Sequence, residues 1–198
     1  MRVTVLDYGA GNLHSLAKAL DDGACDVHIE PDPHAAIDTD VLVLPGVGAF
    51  GHAAARLAPA RQALRHAILD RLPCVGICLG MQLLFEESDE GDGAGLGVMQ
   101  GQVTRVRARR VPHIGWATIE DPSDPAFERA PLDVAYYANG FACRPAHDDV
   151  VCAWSVHESD RFPAMVREGR AAGVQFHPEK SSRAGVAFLR ALIQEVRG

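Results

Sequence analysis

Of the residues able to do chemistry, Cys78 has the most informative surroundings. It stands in Val75-Gly76-Ile77-Cys78-Leu79-Gly80-Met81-Gln82, a Gly-x-nucleophile-x-Gly pattern with cysteine in place of serine. Small residues two before and two after the nucleophile let neighbouring backbone pass close at a tight strand-to-helix turn. Such a turn lifts the sulfur out of a sheet and sets it at a helix N-terminus, where unpaired N–H groups and the helix dipole favour a thiolate. The N–H of Leu79 is then free to face a developing oxyanion. The same pattern also describes a buried structural cysteine in a glycine turn, so it needs company.

A thiolate nucleophile needs a base, and the base needs a group to orient it. Near the C-terminus, Val174-Gln175-Phe176-His177-Pro178-Glu179-Lys180 runs from apolar residues into a histidine held extended by the following proline. His177 is thereby expected at the C-terminal edge of a strand, where open α/β sheets bind ligands. Glu179 is close enough in sequence for its carboxylate to reach back, fix the imidazole tautomer and stabilise the imidazolium. His14, His52 and His66 fall in helical stretches and read as surface or satisfied core residues. A third segment, Leu44-Pro45-Gly46-Val47-Gly48, ends a strand; its glycines let the backbone around Val47 turn its amides outward as a second oxyanion donor, or make an ordinary turn.

These side chains need a scaffold. Val3-Thr4-Val5-Leu6, Asp26-Val27-His28-Ile29, Val41-Leu42-Val43-Leu44 and Pro73-Cys74-Val75-Gly76-Ile77 read as strands. Between them lie a turn at Asp7-Tyr8-Gly9-Ala10-Gly11-Asn12 and a helix through Leu13, Leu16, Ala17 and Leu20. A longer helical pattern covers Ala53 to Leu72, which Pro59 should kink or split. Another helix is expected through Met81-Gln82-Leu83-Leu84-Phe85-Glu86. This alternation predicts an α/β fold with an open, mostly parallel central sheet and helices on both faces. After the glycine-rich loop Gly91-Asp92-Gly93-Ala94-Gly95-Leu96-Gly97 the pattern changes to period two, as in Gln102 to Arg107 and Val150 to Ser155. These stretches predict antiparallel strands added to the core, before a last helix from about Arg183 to Val196. No repeat or Pro/Ser-rich linker divides the chain, and one domain over 1–198 is expected.

Composition narrows the function classes. The 198 residues are 47% hydrophobic and 23% charged, with net charge −7. That is ordinary for a globular protein and counts against a general nucleic-acid binder. The apolar opening run is well short of a secretory core or a membrane span. Five cysteines, an odd number, argue against a disulfide scaffold and for a reduced, cytoplasmic setting. Their spacings do not fit a metal knuckle, and no metal or cofactor is expected. The Asp7-x-Gly9-x-Gly11 run has His14 where a dinucleotide fingerprint needs its third glycine. Glu86, Glu87, Asp89, Glu90 and Asp92 read as a solvated acidic face. Arg105, Arg107, Arg109 and Arg110 fit an acidic partner surface or exposed alternate strand positions equally well.

Taken together, Gly76-Ile77-Cys78-Leu79-Gly80-Met81-Gln82 and Phe176-His177-Pro178-Glu179 resemble the class I (triad) glutamine amidotransferases. Their order, nucleophile then histidine then glutamate, differs from that of ordinary α/β-hydrolases. The segments Asp7 to Leu16, Pro45-Gly46-Val47-Gly48, Gly95-Leu96-Gly97, Pro112-His113-Ile114-Gly115-Trp116 and Phe176 to Ser182 are similar to the glutaminase subunits of imidazole glycerol phosphate synthases. The resemblance implies that Cys78 attacks glutamine, His177 moves protons and Glu179 orients it. It further implies that Val47 and Leu79 supply oxyanion amides and that Gly48 and Gln82 hold glutamine. The implied partner is a (β/α)8-barrel cyclase in a heterodimer, met near Trp116, Tyr136 and Lys180, which receives ammonia through an internal channel. One stretch departs from the family: Tyr136-Tyr137-Ala138-Asn139-Gly140-Phe141 stands where a Tyr-Phe-Val-His-Ser-Tyr-like run is usual, which bears on how partner binding couples to activation. A glutaminase of the anthranilate or aminobenzoate type, and an inactive regulatory relative, are the rival readings; Pro112 to Trp116 and the short chain oppose the first, the intact Cys78, His177 and Glu179 the second.

Overall fold

The computed structural model describes residues 1–9, 11–21 and 23–198; Ala10, in the expected first turn, lies outside them. The first half is a run of βα units: β1 (Arg2–Leu6), α1 (Leu13–Leu20), β2 (Asp26–Glu30), β3 (Val41–Leu44), α2 (Phe50–Leu57), α3 (Arg61–Leu69), β4 (Cys74–Ile77) and α4 (Leu79–Leu83). The second half carries β5 (Glu87–Ser88), β6 (Gly101–Arg105), β7 (His113–Thr118), α5 (Pro125–Arg129), β8 (Val134–Asn139), β9 (Phe141–Pro145), β10 (Val151–His157), β11 (Asp160–Glu168), β12 (Ala171–Val174) and α6 (Ser182–Arg197).

Seven strands form the central sheet in the order β10-β11-β12-β4-β3-β1-β2. The five from β12 to β2 are parallel, and β11 and β10 extend the sheet antiparallel. Strands β3, β4 and β12 are buried along their whole length, as parallel strands covered on both faces must be. Their alternation sorts the core into two layers. Val41, Val43, Val75, Ile77 and Val174 pack toward α1, α5 and α6. Leu42, Leu44 and Cys74 pack toward α2, α3 and α4. Strand β2 bears Asp26, His28 and Glu30 and closes one edge of the sheet with charge, a usual defence of an open edge.

Three expectations are refined. The Ala53–Leu72 pattern is split at Pro59 into α2 and α3, joined by a 3₁₀ turn. The helix expected through Glu86 stops at Leu83, because the glycine loop takes its terminal carbonyls. Leu96, Gly97 and Met99 donate N–H groups to Leu83, Phe85 and Leu84 at 2.7, 3.1 and 3.0 Å. A side chain on Gly95 would reach 2.1 Å from the Phe85 carbonyl, so only glycine permits that closure. Finally, of the two period-two stretches only Val150–Ser155 joins the central sheet, as β10. The other, β6, belongs to a three-stranded sheet β5-β6-β9, while β7 and β8 form a separate two-stranded ribbon.

Candidate active site

The Cys78 turn is made by three glycines. A Cβ on Gly80 would lie 2.0 Å from the Leu44 carbonyl oxygen, one on Gly76 2.5 Å from Gly80, and one on Gly46 1.9 Å from the Ile77 carbonyl oxygen. The ends of β3 and β4 and the start of α4 can therefore close on one another only without side chains. Cys78 itself holds φ 50 and ψ −104, a region that costs a non-glycine residue on the order of 1–3 kcal/mol. Its N–H donates to Val174 at 2.7 Å and its carbonyl accepts from Gln82 at 3.1 Å. Because α4 has five residues, the thiolate support expected here comes from the nearest N–H groups more than from a long dipole.

His177 lies just beyond the C-terminal end of β12, the neighbour of β4, so sheet order brings it to Cys78. Its N–H donates to the Tyr136 carbonyl at 2.8 Å. Ser181 locks the turn, donating to the His177 carbonyl at 2.7 Å and accepting from Tyr136 N–H at 2.9 Å. His177 is 1% exposed, and its Nδ1 is 3.1 Å from Glu179 Oε1. Burial opposes the imidazolium, but its interactions with the adjacent Cys78 and Glu179 outweigh it and raise the His177 pKa to about 9. The other nitrogen, Nε2, is buried and has no partner in hydrogen-bonding geometry among the described residues. Catalytic contacts are often loose without substrate.

A cavity of about 140 Å³ opens beside the sulfur, lined by Val47, Gly48, Cys78, Leu79 and Gln82 from the expected set. The Val47 and Gly48 N–H groups donate no hydrogen bond among the described residues, which leaves them free for a ligand. Gln82 Nε2 is engaged, donating to the Phe141 carbonyl at 3.1 Å and to Gln175 Oε1 at 3.3 Å. Gln175 in turn donates to Cys78 Sγ at 3.4 Å. Sequence reasoning passed over Gln175; its signal was a polar residue inside the apolar run that leads to His177.

Glu90 corrects the reading of the acidic run as a solvated face. It lines the cavity, and its Oε2 accepts the Phe50 N–H at 2.8 Å. Ala49, the N-cap of α2, has no side chain to do this, so Glu90 caps the helix from across the fold. Asn139 also lines the cavity, with Ala138, Gly140 and Phe141. The arginine cluster divides. Arg105 is on a strand, while Arg107, Arg109 and Arg110 lie in the loop after it, so alternate strand positions explain only the first. Trp116 and Tyr136 are cross-strand partners on the outward face of the β7–β8 ribbon, their rings 6.1 Å apart. The backbone of Tyr136 is tied to the His177–Ser181 turn that also carries Lys180. The three expected interface residues thus lie on elements tied to one another.

This is a buried cysteine–histidine–carboxylate array above a small cavity edged by free N–H groups, an arrangement able to carry out acyl transfer. Comparison with known proteins identifies the family. Residues 4–194 match the family model "Glutamine amidotransferase class-I". The chain is 40% identical to imidazole glycerol phosphate synthase subunit HisH of Corynebacterium glutamicum, covering 95% of each chain. It is 38% identical to the same subunit of Pyrococcus furiosus, covering 96% of each. A solved glutamine amidotransferase superposes with TM-score 0.74 at 19% identity, covering 98% of both chains, which supports the fold. The architecture and these matches lead to one conclusion: the chain belongs to the class-I glutamine amidotransferase family.

Proposed function

We propose that this chain is the glutaminase subunit of imidazole glycerol phosphate synthase and that it works through Cys78, His177 and Glu179. The observation that carries the mechanism is the buried His177, whose Nδ1 lies 3.1 Å from the Glu179 carboxylate and whose pKa is raised to about 9 by Cys78 and Glu179. His177 takes the thiol proton of Cys78 as general base. The thiolate attacks the side-chain carbonyl carbon of glutamine, and the oxygen gains negative charge against the N–H groups of Leu79 and Val47. His177 passes its proton to the amide nitrogen, ammonia leaves, and a glutamyl thioester remains. Water, deprotonated by the now neutral His177, attacks the thioester and releases glutamate. His177 then holds the imidazolium again opposite the thiolate.

Substrate binding follows from the same walls. Glu90 is the carboxylate lining the cavity and complements the α-ammonium group of glutamine. Gly48, with φ 138, adopts a conformation that L side chains rarely take and presents its N–H group beside Val47. Gln82, through Gln175, fixes the wall next to the sulfur.

The ammonia is delivered to a (β/α)8-barrel cyclase subunit bound as a heterodimer, which forms imidazole glycerol phosphate and aminoimidazole carboxamide ribotide. The outward face of the β7–β8 ribbon suits such a partner: Ile114, Trp116 and Val134 are 65%, 55% and 44% exposed, large apolar side chains that monomers rarely group. Lys180 adds a cation at its margin. Among the described residues no helix is long and apolar enough to cross a membrane. Replacing Cys78 with alanine should abolish glutamine-dependent synthesis by the complex and leave ammonia-dependent synthesis intact. Loss of both would make Cys78 structural and overturn the proposal.

A further inference from the structure

Gln175 is fully buried and stands one residue beyond β12, between the apolar Val174 and Phe176. Strand alternation sends those two neighbours into the layer of α1, α5 and α6, and Gln175 to the other side, where it meets Gln82 of α4. A buried amide is costly unless its hydrogen bonds are made, and both ends of this one are engaged. Oε1 accepts from Gln82 Nε2 at 3.3 Å, and Nε2 donates to Cys78 Sγ at 3.4 Å. The main chain sets the direction. The Phe141 carbonyl can only accept, so Gln82 turns its Nε2 toward it, at 3.1 Å. The second hydrogen of that NH₂ points at Gln175, which must answer with Oε1. Flipping either amide would set two oxygens or two NH₂ groups against each other, so an N–H of Gln175 always faces the sulfur. We propose that Gln175 is a further catalytic residue, whose Nε2–H supports the charge on the Cys78 sulfur whenever it carries neither proton nor acyl group.

This rests on the reading of Cys78 as the nucleophile given above. When His177 takes the thiol proton, the sulfur keeps the electron pair and the Gln175 N–H faces it. The same donor meets the sulfur again after water has added to the glutamyl thioester, when the C–S bond breaks and its electron pair returns to sulfur. Gln175 gives up no proton in either step. The other titratable groups that feel Cys78 are His177, Tyr8 and Cys143. Burial, and then Cys78, pushes the Tyr8 hydroxyl and the Cys143 thiol up, so both stay neutral. His177 gains a positive charge but must spend its proton on the leaving nitrogen. The amide is the donor that stays in place after that proton has moved. Gln175 is also not among the residues lining the cavity, so it acts on the sulfur and makes no contact with glutamine.

Gln175→Met keeps the length of the side chain without its donor. With the cyclase subunit present, kcat for glutamine should fall about tenfold, the worth of a hydrogen bond to a charged group. KM should stay within about twofold, since binding is untouched. Alkylation of Cys78 by iodoacetamide, followed by peptide mass spectrometry, should slow about tenfold near neutral pH. It should recover toward wild type as pH rises, because added base then removes the thiol proton unaided. A packing defect alone would slow it by the same factor at every pH. Gln175→Glu is the second variant, closer in shape if Gln175→Met fails to fold. Once ionised, its carboxylate sets an oxygen against the sulfur, so its deficit should widen over the range in which that of Gln175→Met closes. Wild-type kcat in Gln175→Met, a deficit constant with pH, or a Gln175→Glu chain as fast as wild type throughout overturns the assignment. A wild-type complex that turns over no glutamine, and whose Cys78 glutamine does not protect from iodoacetamide, overturns the proposed function instead.

Discussion

Gly80→Ala tests the elbow directly. An alanine Cβ there lies 2.0 Å from the Leu44 carbonyl oxygen and 2.6 Å from its carbon, where ordinary contact begins at 3.4 Å. Either α4 or the end of β3 must give way by about 1.4 Å, and both are buried backbone. Helix propensity works in the opposite sense, since alanine is favoured over glycine in a helix by about 1 kcal/mol. Overpacking of this kind costs on the order of 3 kcal/mol, so the variant should be destabilised by about 2 kcal/mol net. For a domain of this size that lowers Tm by roughly 4–8 °C. The larger effect falls on chemistry, because α4 carries the Leu79 N–H and the β3 end leads to Val47. A displacement near 1 Å at reacting groups costs about 10²-fold in rate. Glutamine hydrolysis in the presence of the cyclase subunit, together with thermal unfolding, reads both. Gly91→Ala is the control: its Cβ meets nothing closer than 3.6 Å and should change neither. A Gly80→Ala chain with wild-type kcat and Tm would refute the idea that the glycines exist to bring these backbones together.

Other outcomes follow from the same geometry. His177 is raised from 6.5 to about 9 in the folded chain, so its contribution to stability is fully present below pH 6.5 and is lost as pH rises toward 9. Glu179→Gln removes the carboxylate from the two groups that raise it and should flatten this loss, seen as a smaller fall in unfolding free energy between pH 6.5 and 9 than in wild type; parallel curves would contradict it. The Tyr8 hydroxyl, buried at the end of β1, donates to the Pro45 carbonyl, immediately before the Gly46–Gly48 turn. Tyr8→Phe should lower kcat several-fold with little change in KM and cost about 1 kcal/mol of stability; an unaltered kcat would show that Pro45 needs no such tether.

The sequence made the parallel core and the places of three candidate site residues legible for a physical reason. Short apolar runs ending in glycine or proline encode both a buried strand and the turn at its C-terminal end, so Cys78, His177 and Val47 announce their own positions. Glu90 was hidden because its neighbours Glu87 and Asp89 are ordinary surface acids, and only the fold shows that its carboxylate turns inward to cap α2. Gln175 looked like a break in a strand, yet it bridges Gln82 and the Cys78 sulfur. The early stop of α4 depends on a loop more than ten residues away taking its carbonyls, which no local pattern records. The β6–β9 region was readable as strands, but period two does not say which sheet a strand joins. The outward ribbon face carrying Trp116 and Tyr136 acquires meaning only when β8 is seen tied to the His177 turn.

The central claim is that glutamine is cleaved through a covalent bond to Cys78. Incubating the chain and its cyclase subunit with glutamine, quenching in acid and mapping the adduct by peptide mass spectrometry tests it most directly. The account predicts a glutamyl thioester on the peptide carrying Cys78, absent after Cys78→Ala and accumulating more in Glu179→Gln, where the proton transfers of hydrolysis slow. Glutamine turnover with no adduct on Cys78 under any quench, or an adduct on a different cysteine, would contradict it.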